Sequence, residues 1–442
     1  MRLTDALRLR PGMSVALTGA GGKSAALSTL AREARGRHPI LLTTTTRLAA
    51  GQRTLADEHL VLISPEAVGR LVIHVDRSIL VTGEEDPAEG KLLAPHAEVL
   101  EALRQRFLSE GGVIAIESDG GRGRWVKAPA EHEPVVPSWV DLAVPVASLA
   151  AIGEPLDSRV AHRPELVAKA LGMAEGEPLT ARLIAALLSS QDGGLKGIPP
   201  QAEVRALLNG AGGDMVESGG EVAAKVLEAE RVRAVLTCEL GREDPVRGVA
   251  GRVAGIILAA GAGSRLKQAK PIAEWKGRPL ASHVIEAARQ GGLSPIVVVL
   301  GAEAPRVRSA LAAESATLVG NPEWREGQST SVRAGLEAVE SGVEAAVFLL
   351  ADMPRVSAQT IRRLVEQHAR SLPAIVAPVG AGRRGNPVLF DRLVFPALHA
   401  LRGDQGGRSL LERWAWQAVE VDPSEFFEVD DRADLDTLRG SP

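Results

Sequence analysis

Short runs of apolar residues alternate along this chain with longer stretches in which apolar positions recur every three or four residues. Ser14–Thr18, Ile40–Thr43, Val113–Ile116, Leu142–Pro145, Val204–Leu208 and Val232–Leu236 form one series of short runs. Each is compact, rich in β-branched or aliphatic side chains and flanked by turn formers, which predicts interior strands of a parallel sheet. A second series begins at Val253, with Ile256–Leu258, Ile296–Leu300, Ala346–Leu350 and Ile375–Ala377. Between two of these, Leu280, Val284, Ile285 and Ala288 fall on one face of a helix. The alternation predicts the α/β class. Between the two series, Gly241–Gly248 is polar and rich in turn residues, the pattern of a linker. This places a boundary near residue 250 and predicts two domains, 1–248 and 253–442.

Composition narrows the class. A chain of 442 residues exceeds one ordinary hydrophobic core, which agrees with two domains. Hydrophobic residues make up 45% and charged residues 24%, a soluble globular balance. A net charge of −4 gives no reason to expect a nucleic-acid or membrane partner. Cys238 is the single cysteine, so an internal disulfide is excluded and a reducing, cytoplasmic setting is expected. The first residues lack the apolar stretch of a signal peptide, and nowhere does an apolar run approach the ~18 residues of a membrane span. Tyr is absent, so Ala, Leu, Val and Ile must build the cores.

The most informative segment is Ile256-Ile257-Leu258-Ala259-Ala260-Gly261-Ala262-Gly263-Ser264-Arg265, followed by Lys270-Pro271. A buried strand running into small residues lets backbone N–H groups approach a triphosphate closely. Arg265 and Lys270 would add positive charge where pyrophosphate leaves. The plain alternative is an ordinary strand-to-helix turn. A second feature is Asp352, at the carboxyl end of the apolar strand before Met353-Pro354. Ligands bind outside the carboxyl ends of strands in open α/β sheets, and a carboxylate there suits Mg²⁺. Polar, glycine-bearing clusters at Asn321–Ser331, Arg384–Val388 and Gly403–Arg408 fit a phosphate-bearing substrate, or surface turns.

In these motifs, residues 253–442 resemble the molybdenum cofactor cytidylyltransferase branch of the molybdopterin nucleotidyltransferases, a family with a Rossmann-like fold. The resemblance implies that Ala259, Ala260, Gly261, Gly263, Arg265 and Lys270 hold CTP, and that Arg265, Lys270 and Asp352 carry the catalysis. It implies that Asp352 binds Mg²⁺, with Asp430 of the late acidic motif Glu428–Leu435 as a second ligand. The loops bearing Asn321, Gly327, Ser329, Ser331, Asn386, Asp404 and Arg408 would receive the pterin. The chain departs from the family at Leu266-Lys267, where Met-Gly is usual, which leaves CTP or GTP open.

In the first half, Gly19, Gly21, Gly22, Lys23 and Ser24 join a strand to a helix in the manner of a P-loop. Leu17 stands where the full motif has its first glycine, so the loop is not a standard one. The strand Val113–Ile116 ends in Glu117-Ser118-Asp119, where Asp119 or Glu117 is placed to meet Mg²⁺. The Thr43–Thr46 run would contact phosphate or simply cap an element. His132, between two glutamates, suits a surface loop better than a metal. With Lys127–Pro134, Gly153–Leu156 and His162–Pro164 added, this half resembles an accessory family of selenium-dependent molybdenum hydroxylases. That resemblance implies a P-loop-like nucleotide-binding fold and a client molybdenum hydroxylase. The leading reading is therefore a cytidylyltransferase acting on CTP and a molybdopterin-type cofactor, fused to a maturation domain. A guanylyltransferase, another acceptor, or a non-catalytic cofactor-carrying chaperone are the alternatives.

Overall fold

The computed structural model describes residues 1–263, 266 and 268–440. The chain divides into two compact units, Met1–Ala250 and Gly251–Pro442.

In the first unit the strands of the main sheet are β1 (Ser14–Gly19), β2 (Ile40–Thr44), β3 (Glu58–Val61), β4 (Ser78–Thr82), β5 (Val113–Glu117), β6 (Leu142–Ser148), β7 (Glu203–Asn209), β8 (Ala234–Cys238) and β9 (Val246–Gly251). Their spatial order is β9-β8-β7-β6-β1-β5-β2-β4-β3. The pairs from β8 through to β3 are parallel. Helix α1 (Lys23–Ala34) follows β1. Because β1 lies between β5 and β6, the chain leaves it toward one side of the sheet and later returns to the other. The loop after β1 therefore opens at a switch point, where such sheets form a crevice.

Two expectations shift. The strand expected at Val232–Leu236 lies two residues on, where it runs alongside β7 with Asn209 beside Cys238. The expected linker Gly241–Gly248 ends inside β9, because Val246 and Val249 are buried and draw this polar stretch onto the sheet.

The second unit holds a mixed sheet of β10 (Val253–Ala259), β11 (Ile296–Leu300), β12 (Thr317–Gly320), β13 (Ala345–Leu350), β14 (Ile375–Gly380), β15 (Arg383–Arg384), β16 (Val388–Asp391) and β17 (Trp416–Glu420). The order is β12-β11-β10-β13-β16-β14-β15, with β17 beside β14. Strands β10 to β13 are parallel, whereas β16 runs antiparallel to both β13 and β14. Helix α2 (Leu280–Gln290) buries Leu280, Val284, Ile285 and Ala288, the face that the spacing predicts. Apolar layers cover both faces of the sheet, one with Ile257, Val298 and Leu349, the other with Ile256, Val299 and Phe390. That double covering explains why the strands read as continuous apolar runs. Among the described residues, no helix is long and apolar enough to cross a membrane.

Candidate functional site

Strand β10 delivers Ala259 and Ala260, both buried, to the turn Gly261–Gly263. Gly263 has φ +58°, and a Cβ there would lie 2.4 Å from the carbonyl oxygen of Gln268. The loop doubles back on its own continuation, which only glycine permits. A Cβ on Gly261 would meet nothing within 4 Å, so its backbone stays open to a ligand. Arg265 lies outside the described residues.

Lys270 begins a short 3-10 turn, Lys270–Ile272. Its Nζ donates to Asp430 Oδ1 at 2.6 Å and to Asp352 Oδ2 at 3.2 Å. Asp352 is set beside the glycine loop because Ala351 N donates to Leu258 O at 3.1 Å. Val429 N donates to Asp352 O at 2.9 Å and so ties the late acidic segment to the same place. In an extended stretch, alternate residues share a face. Glu428 and Asp430 thus point to the cluster while Val429 packs against Leu266, Leu280, Leu435 and Leu438. Asp434 Oδ2 accepts from the amides of Asp430 at 2.9 Å and Asp431 at 3.1 Å, which fixes the turn into α3 (Arg432–Gly440).

One oxygen from each of Asp352, Glu428 and Asp430 lies within 4.8 Å of the others. Burial holds the carboxyl of Asp352 above the usual range, with Lys270 pulling the other way. Burial, then Asp352 and Asp430, raise Glu428 as well. For Lys270, burial opposes the charge, yet the bonds to Asp430 and Asp352 outweigh it and hold its pKa above the ordinary lysine value. One ammonium against three carboxylates leaves the cluster negative. With only oxygen donors, it fits a hard divalent cation such as Mg²⁺. Glu428 was not singled out as a ligand in the sequence; its signal was the alternation Glu-Val-Asp.

Beside this cluster lies a cavity of about 420 Å³. Leu258, Phe348, Phe390 and Leu398 supply apolar walls, and Arg383, Arg384 and Arg408 supply charge. Glu428 belongs to both cavity and cluster. Of the expected substrate residues, Asn386 and Arg408 line this cavity. Asp404 is exposed on the adjoining loop. Gly327 has φ +113°, and a Cβ there would lie 2.2 Å from the backbone of Gly403, so these two loops are packed together. Ser329 N donates to Gly403 O at 3.0 Å, while its buried hydroxyl has no hydrogen-bond partner. Asn321 is buried; its Nδ2 donates to Thr330 Oγ1 at 2.8 Å and Ser331 Oγ at 3.0 Å, and its Oδ1 accepts from Glu323 N at 3.0 Å. The structure thus uses Asn321 and Ser331 as an internal clamp. Arg384 opens the polar cluster Arg384–Val388 that the sequence marked, whereas Arg383 is a site cation that the sequence pattern did not mark.

The first unit has its own constellation. Gly19, Gly21 and Gly22 have φ of +83°, +90° and +157°. A Cβ on Gly19 or Gly21 would come within 2.4 Å of the carbonyl oxygen of Val146 or Trp125. Lys23 is buried; its Nζ donates to Gly19 O and lies 3.1 Å from Asp119 Oδ1. Asp119 Oδ2 accepts from Gly19 N at 3.0 Å and lies 3.2 Å from Lys127 Nζ. Lys127 also pairs with Glu133 at 2.8 Å, and Arg163 pairs with the same carboxylate. Burial works against the charge of Glu133, but Arg163 and Lys127 prevail and hold its pKa at about 2. Ser24 Oγ accepts from Gln52 Nε2 at 2.9 Å. Glu117 is pushed up by burial and drawn back by Lys23. A cavity of about 910 Å³ opens over this loop, lined by Gly21, Gly22, Lys23, Ser24 and Glu117 among others.

Residues 255–420 match the MobA-like NTP transferase domain family, and residues 15–165 match the YqeC protein family. Nicotine blue oxidoreductase of Paenarthrobacter nicotinovorans is 33% identical over 180 residues, covering 39% of this chain and 88% of that protein. Bifunctional protein GlmU of Trichlorobacter lovleyi is 33% identical over 139 residues, 29% of this chain, and this chain spans only 30% of its length. Among solved structures, Rv0371c from Mycobacterium tuberculosis H37Rv is 28% identical, covering 43% of this chain and 98% of that one, with a TM-score of 0.40. The molybdopterin-guanine dinucleotide biosynthesis protein A from Archaeoglobus fulgidus is 16% identical, covering 42% of this chain and 96% of that one, with a TM-score of 0.35.

Proposed function

This chain belongs to the MobA-like NTP transferase domain family and is a nucleotidyltransferase; from that premise we propose that its second unit transfers CMP from CTP to the terminal phosphate of molybdopterin. The observation that carries the reading is the cavity that runs from the carboxylate cluster, through Glu428, to Arg383, Arg384 and Arg408. Its apolar walls suit a flat heterocycle, and its arginines suit a phosphate.

The open turn Ala260–Gly263 receives the triphosphate on backbone N–H groups, and Lys270 supplies positive charge beside it. The acceptor phosphate attacks the α-phosphorus in line, and pyrophosphate leaves. That nucleophile is already anionic, so no residue is required to take a proton from it. The chain's work is positioning and charge neutralisation. Asp352, Glu428 and Asp430 are assigned to hold Mg²⁺, which when bound would neutralise charge on the reacting phosphates. The first unit is assigned to the same maturation process, as partner to a client molybdenum hydroxylase.

The test is pyrophosphate release by the purified full chain with CTP, GTP and ATP in turn, each with molybdenum-loaded molybdopterin. Release with CTP and acceptor together is expected, and Asp352→Ala should abolish it without unfolding the protein. Release with GTP alone among the nucleotides would reassign the base. No release with any nucleotide, or full activity of Asp352→Ala, would overturn the reading.

A further inference from the structure

The transfer reading does not use the cavity of the first unit. That cavity is built on the loop from Gly19 to Ser24, which feeds the 12-residue helix α1. Gly19 and Gly21 hold conformations open to no other residue without backbone overlap, so the N–H groups at the start of α1 are aimed and fixed. A helix start alone would not make a site. Here Glu117 supplies a separate observation: it lines the cavity, it is only 6% exposed, and its Oε2 has no hydrogen-bond partner. A buried carboxylate oxygen left unmatched is costly unless something binds it.

We infer that this cavity is a second nucleotide site, which takes a nucleoside triphosphate together with a divalent cation held between Ser24 Oγ and Glu117. Gln52 marks the place of that cation. Its amide donates to Ser24 Oγ at 2.9 Å and also lies against Glu117, joining hydroxyl and carboxylate as a cation would. Mg²⁺ is commonly held by only one or two protein oxygens, the rest coming from phosphates and water. The phosphates lie along the loop beside Lys23, and Arg122 and Arg124 stand among the lining residues. Trp125, 37% exposed in the same lining, offers a ring face to the base.

The geometry also separates Glu117 from Asp119, which the sequence left as equals. Asp119 stands in direct ion pairs with two ammonium groups, Lys23 at 3.1 Å and Lys127 at 3.2 Å, and its Oδ2 accepts from Gly19 N at 3.0 Å, although its Oδ1, like Glu117 Oε2, makes no hydrogen bond. Asp119 therefore holds Lys23 and the loop in place, and Glu117 meets the cation.

The experiment counts Mn²⁺ by electron paramagnetic resonance, and nucleotide by calorimetry, on the full chain carrying Asp352→Asn. That substitution breaks the carboxylate cluster of the second unit. The probes are the β,γ-imido analogues of ATP, GTP and CTP. One equivalent of Mn²⁺ should remain, with one equivalent of nucleotide beyond any that the turn Ala260–Gly263 and Lys270 still hold. Adding Glu117→Gln should remove the bound Mn²⁺ and weaken nucleotide binding at least tenfold. Adding Ser24→Ala instead should weaken Mn²⁺ binding without touching the buried ion pairs, so it reports even if the Glu117 variant misfolds. No remaining equivalent, or unchanged Mn²⁺ in both variants, would overturn the inference. Pyrophosphate release by the unsubstituted chain reads the transfer site separately, so either proposal can fail while the other stands.

Discussion

Replacing Lys270 with methionine removes the ammonium that Asp352 and Asp430 share. In the structure this ammonium occupies part of the space a divalent ion would take, so it competes with the ion before substrate arrives. Asp430 is 46% exposed, and a water-like dielectric is the appropriate choice. A pair of unit charges at ~4 Å is then worth about 1 kcal/mol, and a divalent ion meeting one extra net negative charge gains about 2 kcal/mol. At about 1.4 kcal/mol per tenfold, Mn²⁺ should bind the nucleotide-free Lys270→Met chain roughly thirtyfold more tightly. Transfer should move the opposite way. Losing a fixed positive charge at the leaving pyrophosphate is expected to slow release by about 10²–10³-fold. Calorimetric Mn²⁺ titration and pyrophosphate release on the same protein check both halves. Unchanged or weaker Mn²⁺ binding would refute the idea that Lys270 stands in the cation's place.

Three further outcomes follow from the same geometry. Asp352 has a raised pKa, so the folded state takes up a proton more readily than the unfolded chain, and its ionised form lowers stability as pH rises through that raised value; metal-free Asp352→Asn should melt no lower than the parent at neutral pH, measured by thermal unfolding, although it is inactive. Glu133 is the reverse case: its pKa of about 2 lies below the ordinary 4.5, so its contribution is present above 4.5 and lost as pH falls toward 2. Glu133→Gln should flatten the acid dependence of melting over that window, and an unaltered pH profile would count against the Lys127–Glu133–Arg163 cluster. Gly263→Ala forces φ +58° on a residue with a Cβ only 2.4 Å from a carbonyl oxygen; a loss of about 1–3 kcal/mol in stability or of CTP binding is expected from melting and titration.

The local features of this protein were written in its sequence. A strand buried on both faces must be apolar throughout, which is why β1, β10, β11 and β13 were legible as runs. A turn that admits only glycine must carry glycine, which is why Gly19, Gly21 and Gly263 stood out. Asp352 and Lys270 were found because each follows such a feature closely. Contacts between distant positions were decided only by the folded chain. Lys270 reaches Asp352 across 82 positions and Asp430 across 160, and no local pattern encodes that meeting. Glu428 became a ligand candidate only with Val429 anchored in the core, and Arg383 a site cation only with its strand beside the cavity. Asn321 shows the converse. Its sequence context pointed to substrate, and only the fold shows that three hydrogen bonds within the protein fix its side chain. Tertiary structure likewise told Glu117 from Asp119. Two carboxylates at one strand end look alike in sequence, and only the fold sets Lys23 and Lys127 in direct ion pairs with Asp119, at 3.1 Å and 3.2 Å.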